Sequence, residues 1–232
     1  MRFIAMHVPD GFIDAPISAL AFVLGLGILA VALVKARTEL DDRTAPLAGL
    51  TAVFIFAAQM LNFPVAAGTS GHLLGGALAA ILVGPWVAML VVTVVLTVQA
   101  LLFADGGLTA LGINIMNMAV VTAVVGWLVF RVGVRFVQTP KGAALIAGVA
   151  AFLSVPAAAM AFTLEYALGG TAPVSLTAVA AAMGGVHLAI GIGEGVITGL
   201  VVAAVLASRP DVVAGVRGTP LAQPRIREAV AA

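Results

Sequence analysis

The chain contains no cysteine, a single tyrosine and very few charged residues. Charged residues make up 9% of its 232 positions, and hydrophobic residues make up 62%. An average soluble domain has about 25% charged and about 45–50% apolar residues. The mean hydropathy is +1.21. Without cysteine the chain can form no disulfide, thiolate site or iron–sulfur cluster. A soluble fold could not hide so much apolar surface from water, so the composition excludes one.

The few charges are balanced, with 11 Lys and Arg against 10 Asp and Glu. A net charge of +1 provides no basic stripe that could neutralise phosphates, which argues against nucleic acid as a partner. The sequence also contains no Walker motif, nucleophile elbow or His-Glu-x-x-His motif. We therefore expect no catalytic residues and no enzymatic activity.

Long apolar runs dominate the chain. Asp105 is the only charged residue in 44–130, and Glu165 and Glu194 are the only charged residues in 142–208. A membrane-spanning helix needs about 20 mostly apolar residues, whereas the strands of a membrane barrel alternate between apolar and polar. The pattern predicts an all-α, polytopic bundle of about seven transmembrane helices, over residues 16–36, 46–66, 70–84, 86–104, 113–131, 143–167 and 177–207.

The basic residues indicate how this bundle crosses the membrane. All of the 11 Lys and Arg except Arg2 follow spans one, five or seven. The positive-inside rule makes their side the cytoplasm. We expect a multi-pass protein of the cell inner or plasma membrane, with its N-terminus outside, its C-terminus in the cytoplasm and no signal peptide. Residues 6–209 would form the membrane domain, and the proline- and arginine-containing segment 210–232 a poorly ordered cytoplasmic tail.

Small residues recur at every fourth position in two spans. Span seven carries Gly191, Gly195 and Gly199, and span three carries Gly71 and Gly75. Such stripes allow membrane helices to approach closely. They suit either contacts inside the bundle or the docking of a partner subunit, and the sequence leaves both open.

Few polar side chains remain in or near the predicted membrane region: His7, Gln59, Asn62, His72, Gln99, Asn114, Asn117, His187 and Glu194. Ionisable groups are costly there and usually face a cavity or a partner. His7 and His72 both fall near the external side, so they can meet. Asn114 and Asn117, and likewise His187 and Glu194, each share a helix face. These four residues suit either hydrogen bonds between helices or support for a metal-ligating imidazole.

The stretch Met6-His7-Val8-Pro9-Asp10-Gly11-Phe12 resembles the amino terminus of the CbiM/NikM family. That family comprises the substrate-binding membrane subunits of energy-coupling factor transporters for cobalt and nickel. The resemblance extends over roughly residues 6–207, with further matches at Asn62-Phe63-Pro64-Val65, at 68–76 around His72, at 99–101, at Asp105-Gly106-Gly107-Leu108, at 114–118 and at 187–194.

The resemblance implies a metal clasp at the chain's amino end. Its ligands would be the amine of Met6, the backbone nitrogen and imidazole of His7, and the imidazole of His72. Four nitrogen donors in a plane suit nickel(II), and also accept cobalt(II) or copper(II), whereas calcium and magnesium prefer oxygen. Asn114, Asn117, His187 and Glu194 are possible supporting residues. The run 10–16 is most similar to CbiM sequences, which favours cobalt over nickel.

The resemblance also implies partners and a start site. Uptake would need a coupling transmembrane subunit, ATPase subunits and a small accessory membrane subunit, all within the lipid bilayer. Co²⁺ or Ni²⁺ would be the transported substrate, and no intrinsic cofactor is implied. The clasp needs a free amine on Met6, so we expect translation to start there and residues 1–5 to be an over-extended start.

Two other classes of function remain open from the sequence. An ion-coupled secondary carrier could use Glu194 and His187 as a relay, although carriers often show internal repeats and none is evident here. A purely structural membrane scaffold would make His7 and His72 irrelevant to metal binding.

Overall fold

A computed structural model describes residues 7–42, 44–61, 63–66 and 69–223. Its seven helices are α1 (Ala15–Ala36), α2 (Thr44–Met60), α3 (Gly76–Val83), α4 (Pro85–Leu102), α5 (Leu111–Phe136), α6 (Pro140–Gly169) and α7 (Leu176–Ser208). Five of them, α1, α4, α5, α6 and α7, are long and apolar enough to cross a membrane, and α2 is apolar but has 17 residues. The predicted all-α membrane bundle is confirmed.

The bundle exposes its large apolar side chains and buries its small ones. Val23, Leu164 and Leu200 are each more than 60% exposed, whereas Ala77 and Ala147 are completely buried. This is the arrangement that lipid favours, because close packing of small residues, and not exclusion of water, holds membrane helices together.

Two of the predicted spans need correction. In predicted span two, 46–66, the helix ends at Met60. Predicted span three, 70–84, is helical only over Gly76–Val83. Between them, strands β1 (Phe63–Ala66) and β2 (Thr69–Gly71) pair antiparallel, with Pro64 opposite Ser70. A proline lacks the N–H that a helix interior needs, which explains why the apolar run leaves the helix here. The third crossing is therefore a hairpin followed by a buried helix about 12 Å long.

The two ends of the bundle differ in charge. Lys35 and Arg135 lie in the last turns of α1 and α5, and Lys141 lies in the first turn of α6; we call this the basic end. The opposite end, here named the site end, holds the start of α1 and of α7. Both of those helices begin at a capping side chain, because Asp14 and Ser175 accept hydrogen bonds from backbone N–H groups three residues later.

Glycines set the distances between helices at two crossings. A methyl group on Gly148 of α6 would lie 2.8 Å from the carbonyl oxygen of Gly195 on α7, and one on Gly195 would lie 2.8 Å from the carbonyl oxygen of Gly148. The span-seven stripe therefore makes internal contacts at Gly195. At the second crossing, α5 meets α1 where Gly112 lies against the backbone of Phe22.

We expect Gly112→Ala to lower the melting temperature of the purified protein in detergent. The added methyl group collides with the backbone of Phe22, and overpacking of this kind costs about 1–3 kcal/mol. Gly27→Ala on α1 is the matched control, since nothing lies within 4 Å of a methyl group there. Equal melting temperatures for the two variants would contradict the close α1–α5 packing.

The expectation of a poorly ordered tail is wrong for residues 210–222. Three short 3-10 turns fold this segment onto the basic end, and Val213 and Val216 are completely buried. The guanidinium of Arg131 donates hydrogen bonds to the carbonyl oxygens of Gly215 and Arg217, at 2.9 and 3.0 Å. The prolines and arginines of this segment suggested that it is solvated, although apolar residues lie between them. The remainder of the predicted tail, 224–232, lies outside the described residues.

Candidate metal site

A cavity of about 130 Å³ lies at the site end, between the amino-terminal segment and helices α5, α6 and α7. All three histidines of the chain, His7, His72 and His187, line it. Asn114 and Asn117 are the other polar side chains in a wall that is otherwise apolar. Five of the predicted site residues are thus brought to one place, whereas predicted ligand Met6 lies outside the described residues.

His7 is a buried imidazole that lacks hydrogen bonds. The residue is 4% exposed, and neither ring nitrogen makes a hydrogen bond to a described residue. Its Nδ1 lies 3.2 Å from Oδ1 of Asp105, at an angle that does not make a hydrogen bond. Buried polar atoms are nearly always paired, so this imidazole is a candidate donor to a bound ion.

His72 lies beside His7 with its tautomer fixed. The centroids of the two rings are 4.9 Å apart, and the rings meet edge to face. The Nδ1 of His72 lies 2.9 Å from the carbonyl oxygen of Leu73 and donates to it. That hydrogen bond leaves the lone pair on Nε2, as is usual for a histidine that binds a metal.

Glu194 fixes the backbone that follows His72. It is 1% exposed, and its carboxylate accepts hydrogen bonds from the N–H groups of Leu74 and Gly75, at 2.7 and 2.8 Å. The amide of Gln59 donates to the carbonyl oxygen of Leu74 at 2.8 Å. These N–H groups precede α3, so the carboxylate also lies at the positive end of that helix. Helices α2 and α7 together hold the segment that carries His72.

Asn114 holds down the residue after His7. The N–H of Val8 donates to Asn114 Oδ1 at 3.1 Å, and Asn114 Nδ2 donates to the carbonyl oxygen of Val8 at 3.3 Å. The N–H of Gly107 also donates to that carbonyl, at 2.9 Å. The side-chain amide of Asn114 thus hydrogen-bonds both backbone groups of Val8, as the backbone of a neighbouring β-strand would. It holds in place the backbone of the residue that follows His7.

Asp10 anchors the same segment one turn further on. Its Oδ1 accepts hydrogen bonds from the backbone N–H and the hydroxyl of Thr109, at 2.7 and 2.6 Å. The hydroxyl bond is the main reason that the pKa of Asp10 is lowered, and the backbone bonds add to it. The anchor is therefore ionised and intact throughout the neutral range.

Two glycines let the segment approach so closely. Gly106 has φ +96°, and a methyl group on it would lie 2.9 Å from Cβ of His7. A methyl group on Gly107 would collide with the backbone of Asp10. Any larger residue here would lift the amino-terminal segment off the bundle.

Aromatic rings close the other side of the segment. Phe12 stacks on Phe162 with ring centroids 6.0 Å apart and lies 5.6 Å from the ring of Tyr166. The N–H of Thr171 donates to the carbonyl oxygen of Phe12 at 3.1 Å. Phe162 lines the cavity, so this cluster shields the histidines from the outside.

Asn117 and His187 are oriented by partners outside the cavity. Asn117 Nδ2 donates to Oε2 of Glu165 at 2.6 Å, and His187 Nδ1 donates to the carbonyl oxygen of Met183 at 2.8 Å. Asn117 lies in a π-helical stretch of α5, Ile115–Val121, a feature that is frequent at functional sites.

Several predicted relationships differ in the structure. Glu194 binds the backbone before α3 and lines no part of the cavity, so the face it shares with His187 does not make a pair. Sequence reasoning assigned no role to Asp105, Asp10 or Glu165. Within the part of the chain that the structure describes, no three His, Cys, Asp or Glu side chains form a metal-binding group.

Comparison with known proteins shows the family to which the chain is similar. Residues 7–212 match the model of the CbiM family, described as the cobalt uptake substrate-specific transmembrane region. The chain is 42% identical over 208 residues to a putative fused nickel transport protein, NikMN, of Archaeoglobus fulgidus, covering 90% of this chain and 68% of that protein. It is 36% identical over 211 residues to the cobalt transport protein CbiM of Sorangium cellulosum, covering 89% and 94%.

Solved structures share the fold as well. A crystal structure of a truncated transition metal transporter superimposes with a TM-score of 0.78 at 34% sequence identity, covering 87% of this chain and 98% of that one. A second transition metal transporter gives the same TM-score at 32% identity. Family model, relatives and fold agree over nearly the whole membrane domain, and the chain belongs to the CbiM family.

Proposed function

We propose that this membrane protein is the solute-specific subunit of an energy-coupling factor importer, which captures Co²⁺ or Ni²⁺ at the external face for ATP-driven uptake. The relatives are named cobalt and nickel transport proteins, which supports the substrate class. The observation that carries the proposal is the buried His7 imidazole, which makes no hydrogen bond to a described residue and lies 4.9 Å from the ring of His72.

The proposed donors are all nitrogen atoms. His7 and His72 supply two imidazoles, and Met6 and the backbone nitrogen of His7 supply the amine and the amide. Adjacent amine, amide and imidazole nitrogens form fused chelate rings, which disfavour the oxygen-preferring calcium and magnesium ions. This set requires a free amine on Met6, and therefore a protein that begins there.

The amino-terminal segment would act as the lid of the capture site. Asp10 attaches it to Thr109 in the loop before α5, Phe12 attaches it to Phe162 on α6, and Asn114 pairs with its backbone. The lid would have to detach for the ion to enter or leave. The basic end is proposed to face the cytoplasm, which puts the lid outside.

The energy would come from other subunits. The sequence has no ATP-binding motif, and both Glu194 and His187 are hydrogen-bonded to backbone groups, so neither is arranged as a proton relay with the other. We propose a coupling transmembrane subunit, ATPase subunits and a small accessory membrane subunit as partners. The chain itself then acts in capture and not in ATP hydrolysis.

Uptake of radioactive cobalt into vesicles tests this assignment. We expect vesicles that contain the chain with its partner subunits to accumulate the ion when ATP is supplied inside, and His72→Ala to abolish accumulation. Vesicles with an ATPase-inactive partner provide the control. Accumulation by this chain alone, driven by a pH gradient, would contradict the proposal and favour an ion-coupled carrier.

A further inference from the structure

Two polar atoms, Oδ1 of Asn117 and Nε2 of His187, belong to residues of the cavity that have no part in the proposed clasp. Asn117 Oδ1 is buried and makes no hydrogen bond to a described residue, although the residue is only 5% exposed. His187, on α7, lines the same cavity. We call these two residues the helical wall, since they belong to α5 and α7, whereas His7 and His72 precede α1 and α3.

Both atoms are held in the form that binds a cation. The hydrogen bond from Asn117 Nδ2 to Glu165 uses the amide's donor side and leaves its carbonyl oxygen without a partner. The hydrogen bond from His187 Nδ1 to the carbonyl oxygen of Met183 leaves the lone pair on Nε2. An unpaired buried carbonyl oxygen carries a desolvation cost that a cation would remove.

The cavity also has the room that a cation needs, and an acidic side chain lies just behind its wall. Its volume of about 130 Å³ is well above the roughly 30 Å³ that one water molecule occupies in the liquid, so an ion could keep part of its hydration shell. Glu165 lies one hydrogen bond, of 2.6 Å, behind Asn117, so an acidic side chain lies close to the wall.

We propose that the helical wall is a second, weaker binding position for the divalent cation, with His187 Nε2 and Asn117 Oδ1 as its protein ligands and water as the others. This inference rests on the proposed function. The second position gives the ion a place to bind once the lid and its amine have left the first. An imidazole nitrogen suits divalent transition-metal ions such as nickel, whereas an amide oxygen is a harder donor, which fits a weaker position.

Calorimetric titration of protein that begins at Met6 with cobalt chloride tests the second position. In a His7→Ala/His72→Ala background we expect residual binding, at least tenfold weaker than in the wild type. Adding His187→Ala to that background weakens the residual binding at least a further tenfold, and adding Asn117→Leu weakens it severalfold. Gln99→Ala, a buried polar residue outside the cavity, is the matched control and leaves it unchanged.

The outcomes separate this inference from the proposed function. No cobalt binding by the wild type would overturn the capture function itself. Binding by the wild type without residual binding in the background variant would overturn only the second position. Residual binding that neither His187→Ala nor Asn117→Leu weakens would do the same. Asn117→Leu also decides the matter if the His187 variant does not fold.

Discussion

His72→Ala is expected to weaken Co²⁺ binding by at least about tenfold, which corresponds to roughly 1.4 kcal/mol. The substitution removes one of two imidazoles whose centroids are 4.9 Å apart. Among the described residues, no group of three or more His, Cys, Asp or Glu side chains could hold the ion in its place. Calorimetry on protein that begins at Met6 measures the change, with nickel titrated in parallel to compare the two ions.

A third histidine in the same cavity provides the control for this experiment. His187→Ala removes an imidazole of equal size from the same lining but from outside the clasp, and we expect it to change the affinity of the first position by no more than about threefold. If the two variants lost the same affinity, the cavity would bind the ion without the distinct clasp proposed here.

Glu194→Ala is expected to have the largest effect on stability. It leaves the buried N–H groups of Leu74 and Gly75 without their acceptor, and each unsatisfied group costs about 1–3 kcal/mol. The free energy of unfolding should fall by about 2–6 kcal/mol, and metal affinity should fall with it because His72 lies two residues before Leu74. Thermal unfolding of the ligand-free wild type and variant measures the change in stability, and calorimetry measures the change in metal affinity.

Two further variants show whether the carboxylate acts through these bonds. Glu194→Gln keeps one acceptor oxygen and should restore part of the stability. Thr198→Ala, one turn further along α7, removes a buried hydroxyl that has no described hydrogen-bond partner, and it should change stability little. If the Thr198 variant were as unstable as the Glu194 variant, the loss of stability would come from removing any buried side chain in this part of α7 and not from the lost hydrogen bonds.

Scarcity of charge made the membrane bundle predictable. Because charged residues are so few, the long apolar runs could be recognised as membrane spans, and α1, α4, α5, α6 and α7 match the expected ranges within a few residues, whereas the second and third predicted spans do not. The meeting of His7 with His72 followed from the resemblance and from their shared side. The all-α fold and the histidine pair were therefore accessible from the sequence.

The hairpin before α3 could not be read in the same way. Residues 63–83 are as apolar as a span, and composition alone does not distinguish a helix from a strand followed by a half-helix. A tertiary contact determines the shape of this segment. Glu194, on a helix far away in the sequence, accepts hydrogen bonds from the N–H groups of Leu74 and Gly75, which a continuous helix would have used itself. Pro64 was the available local signal.

The roles of the acidic residues were also missed, although a signal for them existed. Asp105 beside His7 and Glu165 behind Asn117 are two of the very few charges between the ends of the membrane domain. Rare charges at membrane depth usually mark functional sites, so their rarity could have directed attention to them. Which histidine or asparagine each would meet depends on helix rotation, which the sequence does not fix.

The central claim is that the amino-terminal segment and His72 grip a transition-metal ion together. Anomalous diffraction at the cobalt absorption edge, from crystals of cobalt-loaded protein that begins at Met6, tests it most directly. We predict one strong peak between the imidazoles of His7 and His72, within bonding distance of the Met6 amine. A peak remote from both imidazoles, or one surrounded by carboxylate oxygens, would contradict this account.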